Sequence, residues 1–426
     1  MTADGALDWL LSFSDPKRGV GWNRASRGGL EANLRRTRVL LDLAGSPDRR
    51  MFVVLVAGTK GKGSTAAMLA SILAASGVRA GLSTKPHLQS FRERVRVDGA
   101  AIDENAFAAR VAEMRPLVRE LEERLPDGGA PTTFELTLAL ALRHYVKERC
   151  EVAVVEVGLG GRYDATNATD PHVSVITAIS HDHTKELGTR LRDIATEKSG
   201  IVRPGRVAVI EPQPAEVRSV MRAACERVGA ELREVRPVAE RTSLSLRGAH
   251  QRANAAAAIE AARALAQHGV AFRADAVNGA LERLEFPGRF EVVAGTPTIV
   301  LDAAHNDGSA RALAQTLRSA FPKRRVRFVL GLMEDKDARA VIRPLLPLAS
   351  AVEVTRATGP RGLDARKLAR LVRVRRVRAH EDPADAIAAA RSDAKRDEIV
   401  CVTGSLALVG RARDVLGLPI AERLWP

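Results

Sequence analysis

The sequence predicts an α/β protein of two domains, each with a mostly parallel sheet covered by helices. Three observations lead there. Short apolar runs alternate with helical patterns, most runs end near Gly, Asp, Glu or His, and a Gly- and Pro-rich stretch separates two such series. The runs read as buried strands at 52–57, 152–157, 173–179, 206–210, 298–301, 326–330 and 398–403. Ligands of such sheets bind beyond the carboxyl ends of the strands, and the unusual residues of this chain cluster there.

The separating stretch is 285–298, EFPGRFEVVAGTPT. A boundary near Pro287 divides the chain into 1–286 and 287–426, the second about 140 residues and ordinary in size for a domain. No internal repeat or low-complexity tract interrupts either part. At 426 residues, two domains can each bury a core.

Composition narrows the function classes. Hydrophobic residues at 46% and charged residues at 27% are usual for a globular chain. No apolar run approaches the ~20 residues of a membrane span. The start, MTADGALDWLL, lacks a basic region followed by a long apolar stretch, so a cytoplasmic enzyme with no membrane partner is expected. Cys150, Cys225 and Cys401 are odd in number and far apart, which suggests neither a disulfide framework nor a zinc site. The net charge of +15 raises nucleic acid as a partner, but the charge is dispersed and only two Tyr and three Trp are present to stack bases. The densest patch, RKLARLVRVRRVRAH at 366–380, interleaves Val372, Val374 and Val377 with arginines, which predicts a short half-exposed strand within 371–377.

The first strand runs into GTKGKGST, residues Gly58, Thr59, Lys60, Gly61, Lys62, Gly63, Ser64 and Thr65. From Ser64 the pattern turns helical, with Met68, Leu69, Ile72 and Leu73 on one face and Gly77 as C-cap. Strand, glycine loop and helix N-terminus together present backbone N–H groups to phosphate. Lys62 would reach the outer phosphates, while Ser64 or Thr65 offers a hydroxyl to Mg²⁺. The strict G-x-x-x-x-G-K-[ST] pattern fails, because Val56 stands at the first glycine and Gly63 follows Lys62. A tight strand-to-helix turn with exposed lysines is the plain alternative.

Glu156 closes an apolar strand ahead of Gly158, Gly160 and Gly161. A carboxylate there is costly unless it is paired or metal-bound, so it either bridges to an arginine such as Arg162 or binds Mg²⁺ beside a phosphate loop. His181, Asp182 and His183 follow the next strand and suit metal or phosphate chemistry, with one histidine structural. Lys198 ends a helical pattern in TRLRDIATEKSG, where an exposed last-turn lysine favoured by the helix dipole is the simpler reading.

Taken together, VAGTKGKGST, STKPHLQSFRERVRVDG, EVGLGGRYDATN, VSVITAISHDHTKELG, ATEKSGIVRPG, PGRFEVV, LDAAHNDGSA and VTGSLALVG resemble the Mur ligase superfamily. Within it they resemble the folylpolyglutamate synthase/dihydrofolate synthase family, over nearly the whole chain. The resemblance implies a P-loop-type N-terminal domain and a smaller Rossmann-like α/β C-terminal domain. It also implies an ATP-dependent amide ligase that makes an acyl phosphate on dihydropteroate or folate. L-Glutamate then attacks it, giving amide, ADP and phosphate.

By matching motif, the glycine loop with Lys62 and Ser64 would hold the nucleotide phosphates. Ser64, Glu156 and His183 would bind Mg²⁺, in two ions, and Lys198 would be carbamylated, turning a cation into a metal ligand. Asn254 and Arg289 would face the nucleotide, and Asp302 and His305 would close over it. Lys62, Lys198, Asp302 and His305 are the catalytic candidates, in a monomer without nucleic-acid partners. A positive surface would attract the carboxylates of folate and its glutamate tail.

Two residues depart from the family pattern. Lys60 stands where an Asn is usual. Lys85, in Thr84-Lys85-Pro86-His87, stands where a Mg²⁺-assisting serine is usual, which implies that its ammonium replaces that metal or meets phosphate, with Thr84 as substitute ligand. Rival readings are a Mur-type ligase acting on a cell-wall precursor, for which the ~50 residues before the loop are too few for a separate precursor domain, and a basic P-loop nucleic-acid-dependent ATPase.

Overall fold

The computed structural model describes residues 1–15, 19–23, 25–26, 29–359 and 361–425. It is an α/β structure with two sheets. The first contains β1 (Phe52–Ala57), β2 (Ala80–Ser83), β3 (Arg96–Val97), β4 (Ala100–Ala101), β5 (Val152–Glu156), β6 (Val173–Ile176), β7 (Val207–Ile210) and β8 (Glu231–Glu234), in the order β4-β3-β2-β5-β1-β6-β7-β8. The second contains β9 (Glu291–Val293), β10 (Thr298–Asp302), β11 (Arg325–Leu330), β12 (Ala349–Thr355), β13 (Val377–His380) and β14 (Glu398–Thr403), in the order β13-β12-β11-β14-β10-β9. All pairs are parallel except β2–β3, β3–β4 and β9–β10.

The apolar runs form strands because both sheet faces are covered. Along β1, Val53, Leu55 and Ala57 enter one core with Leu136 and Leu140, while Val54 and Val56 enter the opposite core. That second core holds the helix Lys62–Ala75, which is buried almost all round, as a helix apolar on every face requires. It packs on Gln251–Ala266, whose Ala255, Ala258 and Ala262 are fully buried small residues. Gly77 ends the first helix at φ +83°, with Val78 N–H closing on Leu73 O, as expected.

Several strands escape the apolar-run criterion. β2 contains Gly81, whose bare Cα faces the Tyr145 ring, and β8 and β13 are charged edge strands. β12 is interrupted by Glu353, buried in ion pairs with Arg327, Arg378 and His380. The strand expected within 371–377 is not formed. Leu371 and Val372 donate their N–H groups to Leu368 and Ala369 carbonyls, which closes a turn, and the strand begins only at Val377. The run 173–179 likewise leaves the sheet after Ile176, because Ala178 and Ile179 donate to side chains of Glu211 and Gln213.

The last residues depart from the 287–426 division by returning to the first sheet. Ala101 N–H donates to Glu422 O at 2.7 Å and Leu424 N–H to Gly99 O at 3.1 Å. Trp425 packs on Gly99, held at φ +78°. Among the described residues, no helix is long and apolar enough to cross a membrane.

The first core also contains an ion pair between Arg36, fully buried, and Glu135, 2.9 Å apart. Glu135 caps its own helix by accepting from Thr132 N–H at 2.6 Å. Substituting Glu135→Ala leaves the buried guanidinium with Gly128 O and Asn33 Oδ1 but without its paired carboxylate, and should cost about 3–5 kcal/mol in urea unfolding. A loss below about 1 kcal/mol would contradict this role.

Candidate active site

Sheet order brings the site together. β5 lies between β1 and β2, with Val56 opposite Glu156 and Ser83 opposite Val155. The segments leaving β1 and β2 therefore flank the Glu156 carboxylate at about one strand spacing, ~4.8 Å. The alternative reading of Glu156, an ion pair to Arg162, is not found among the described residues. Instead Lys85 N–H donates to Glu156 Oε2 at 2.9 Å, and the same oxygen lies 3.3 Å from where a Cβ on Gly63 would stand. The acid thus sits at the N-terminus of the helix that follows the glycine loop.

The loop needs its glycines. Gly58 has φ +148° and a Cβ there would collide with Thr177 Oγ1; Gly61 has φ +88° and its Cβ would collide with Asn254 Oδ1. Thr59 and Lys60 N–H both donate to Ala178 O, and Thr177 Oγ1 bonds Lys60 O at 2.6 Å. Lys62 Nζ bonds Gly58 O at 3.1 Å and Thr59 O at 3.4 Å, folded back over its own loop. The helix begins at Lys62, two residues earlier than the apolar pattern indicates.

Behind this loop stands a set of residues that the motifs do not reveal. Glu211, just past β7, accepts from Ala178 N–H at 3.0 Å and from Thr65 Oγ1 at 3.4 Å. Gln213 accepts from Ile179 N–H and donates to Thr177 O. Burial pushes the Glu211 carboxyl up to about 8. Their signal in the sequence is only a Glu and a Gln directly after an apolar strand.

Positive charge gathers around Glu156. Burial, with repulsion from Lys62, lowers Lys85 to about 8; burial, with repulsion from Lys62 and Lys85, lowers Lys198 to about 7. Lys198 is 4% exposed at the end of Leu191–Ser199, so the exposed last-turn reading fails. His183 is at φ +48° with its ring half exposed, 3.9 Å from Asp182, and burial lowers its pKa. His181 is exposed.

Among the described residues, no three His, Cys, Asp or Glu side chains are grouped to hold a metal by themselves. The donor set nevertheless fits Mg²⁺, which keeps waters and is held by one or two carboxylates plus phosphates. Glu156 has one oxygen beyond its bond to Lys85, and buried Ser64 lies at the same helix N-terminus.

The second sheet supplies the facing wall. Asp302, at the end of β10, accepts from Phe290 and Ala304 N–H, each at 2.9 Å, and burial raises it to about 6 despite nearby Arg289. His305 Nδ1 lies 2.8 Å from Ala303 O; a carbonyl only accepts, so Nδ1 carries the proton and Nε2 is bare. Burial lowers this ring to about 4. Asn306 Nδ2 donates to Asp182 Oδ2 at 3.0 Å across the cleft, with Lys336 3.9 Å from the same carboxylate. Lys60 Nζ rests on Gly308, where a Cβ would collide with it. The Lys60–Gly308 contact and the Asn306–Asp182 bond thus bring the glycine loop, with Asn254 against Gly61, up to the segment of the second sheet that carries Asp302 and His305.

Residues 56–230 match the Mur ligase middle domain and residues 288–406 the Mur ligase, glutamate ligase domain. The dihydrofolate synthase/folylpolyglutamate synthase of Bacillus subtilis is 33% identical over 413 residues, spanning 91% of this chain and 96% of the relative. A structure of Mycobacterium tuberculosis folylpolyglutamate synthase complexed with ADP and AMPPCP superposes with TM-score 0.85 at 35% identity, covering 91% of this chain and 96% of that one. Escherichia coli FolC in complex with DHPP and ADP superposes with TM-score 0.85 at 29% identity, covering 98% of both chains.

The Glu211 carboxyl makes a pH prediction. Its folded pKa, about 8, lies above the 4.5 of an ordinary glutamate. Its stabilising contribution is therefore complete below pH 4.5 and is lost as pH rises through 8, by at most about 1.4 kcal/mol per pH unit. Urea unfolding of Glu211→Gln should show a flatter pH dependence than wild type across this window. Parallel curves would show that the carboxyl is not held neutral.

Proposed function

The chain belongs to the dihydrofolate synthase/folylpolyglutamate synthase family of Mur ligases, and from that premise we propose how its cleft joins L-glutamate to a pterin carboxylate. The protein is an ATP-dependent carbon–nitrogen ligase. The observation that carries the site assignment is Glu156 at a strand end, set against a glycine loop and ringed by lysines.

A carboxylate does not acylate an amine at neutral pH, because its leaving group would be oxide or hydroxide. Transfer of the γ-phosphoryl of ATP to that carboxylate releases ADP and leaves an acyl phosphate. The amino group of glutamate then attacks the acyl carbon, phosphate departs, and one proton is lost from nitrogen. Positioning and charge neutralisation dominate such phosphoryl transfer.

The N–H groups from Gly61 to Ser64, at the start of the helix, cradle the phosphates, since those of Thr59, Lys60 and Thr65 are bonded within the protein, and Lys62 swings from its loop carbonyls to the outer phosphates. Asn254 and Arg289 border the nucleotide. Ser64, Glu156 and His183 would hold Mg²⁺, which when bound supplies charge neutralisation at the phosphates. Lys198, lowered to about 7, has free amine at neutral pH to combine with CO₂, releasing a proton and forming a carbamate that could serve as a further oxygen ligand. Neutral His305, with Nε2 bare, and Asp302 close over the nucleotide from the second wall, so that catalysis would lie where 1–286 and 287–426 meet.

Purified protein with Mg²⁺-ATP should release ADP only when L-glutamate is present together with dihydropteroate or a folate. Comparing those two acceptors identifies which step, or both, the enzyme catalyses. Release with glutamate alone, or with neither pterin, would contradict the assignment. Substituting Lys198→Ala should lower kcat about 10²–10³-fold. Native mass spectrometry should show one CO₂ adduct on wild type and none on the variant; equal kcat would remove Lys198 from the site.

A further inference from the structure

We infer that the Lys85 ammonium directly contacts the terminal phosphoryl group of the nucleotide, opposite Lys62 across Glu156. The inference rests on the phosphate reading of the glycine loop and decides between the two roles left open for Lys85, in the place of a metal or on phosphate.

Placement is the first argument. β1 and β2 are the two neighbours of β5, so Lys62 and Lys85 approach Glu156 from opposite sides. The Lys85 backbone is pinned by its N–H bond to Glu156 Oε2, which fixes where the side chain starts. Gly63, at the first turn of the phosphate-loop helix, lies against the same carboxylate oxygen.

The second argument is what the ammonium lacks. Lys62 Nζ has two loop carbonyls. Among the described residues, Lys85 Nζ has no hydrogen bond or ion pair within 4.0 Å. The carboxylates nearest in charge make their hydrogen bonds elsewhere: Glu156 through Oε2 to the Lys85 backbone, its other oxygen being the one open to a metal, and Asp164 to Leu159 N–H and to Thr166 N–H and Oγ1. Its other charged neighbours, Lys62 and Arg94, repel it. Lys85 is half-buried, and an ammonium drawn partly out of water with no protein partner is left for an anion that arrives with substrate. Phosphate at the loop would meet both lysines at once, since the segments that carry them flank Glu156 from β1 and β2. An acceptor carboxylate alone would meet Lys85 without Lys62.

The test measures equilibrium binding of ADP and of the β,γ-methylene analogue of ATP, with and without Mg²⁺, to wild type, Lys85→Met, Lys85→Arg and Lys62→Met. Lys85→Met should weaken the analogue about 10- to 100-fold, the worth of one charge-assisted hydrogen bond, while changing ADP less than about 3-fold. Lys85→Arg should recover most of the analogue affinity, and ligand-free Lys85→Met should melt no lower than wild type because a repelled cation is gone. Equal weakening of ADP and analogue would overturn the terminal-phosphoryl contact. So would unchanged nucleotide binding with a raised KM for the pterin substrate, which would assign Lys85 to the acceptor carboxylate. A lower melting temperature without rescue by arginine would make the residue structural. If Lys62→Met leaves ADP binding intact, the phosphate reading of the loop itself fails, an outcome separate from any result at Lys85.

Discussion

Charge imbalance around Glu156 is the constraint from which the cleft is best understood. Three lysines, Lys62, Lys85 and Lys198, converge where adjacent strands end, and each depresses another or is depressed by burial. Glu156, Asp164 and Asp182 answer part of this charge, but the Glu156 oxygen is partly committed to a backbone N–H and Asp164 to Leu159 and Thr166, so among the described residues Lys62 and Lys85 keep no direct carboxylate partner. Such an arrangement is a liability in an empty protein and an asset for a polyphosphate, because desolvated charges act strongly on whatever enters. The parallel sheet makes it possible: only parallel neighbours can bring three separate loops to one edge.

The second sheet completes the site by facing the loop across a cleft held at several points. Asn306 donates to Asp182, Lys60 rests on Gly308, and Gln89 exchanges hydrogen bonds with Arg413 and Asp414. The loop that carries Lys85 continues directly into this last contact, with Leu88, Gln89 and Ser90 N–H groups gathered on Glu93. The segment that carries Lys85 is thereby tied to the second part of the chain through Gln89. The returning tail, with Trp425 seated on Gly99, adds a further tie between the two parts of the chain.

Much of this was readable from residue order. The apolar runs at 52–57, 152–157 and 398–403 become strands because they are buried on both faces, and glycines at positive φ mark the loop. The buttress of Thr177, Glu211 and Gln213 was not readable, since it depends on β6 and β7 lying next to β1 rather than on local pattern. The valine–arginine alternation at 371–377 misleads because turn bonds consume its backbone donors. Lys198 misleads in the opposite direction: its place at a helix end suggests exposure, whereas the loop from Gly160 to Arg162 covers it.

The central claim is that the cleft is an unneutralised cation site awaiting a polyphosphate. Thermal melting of the Mg²⁺-free protein with and without inorganic tripolyphosphate tests it most directly, with Lys62→Met as control for binding elsewhere on a basic surface. A rise in wild-type melting temperature that is largely lost in Lys62→Met is the predicted result. No rise, or an equal rise in both proteins, would contradict it.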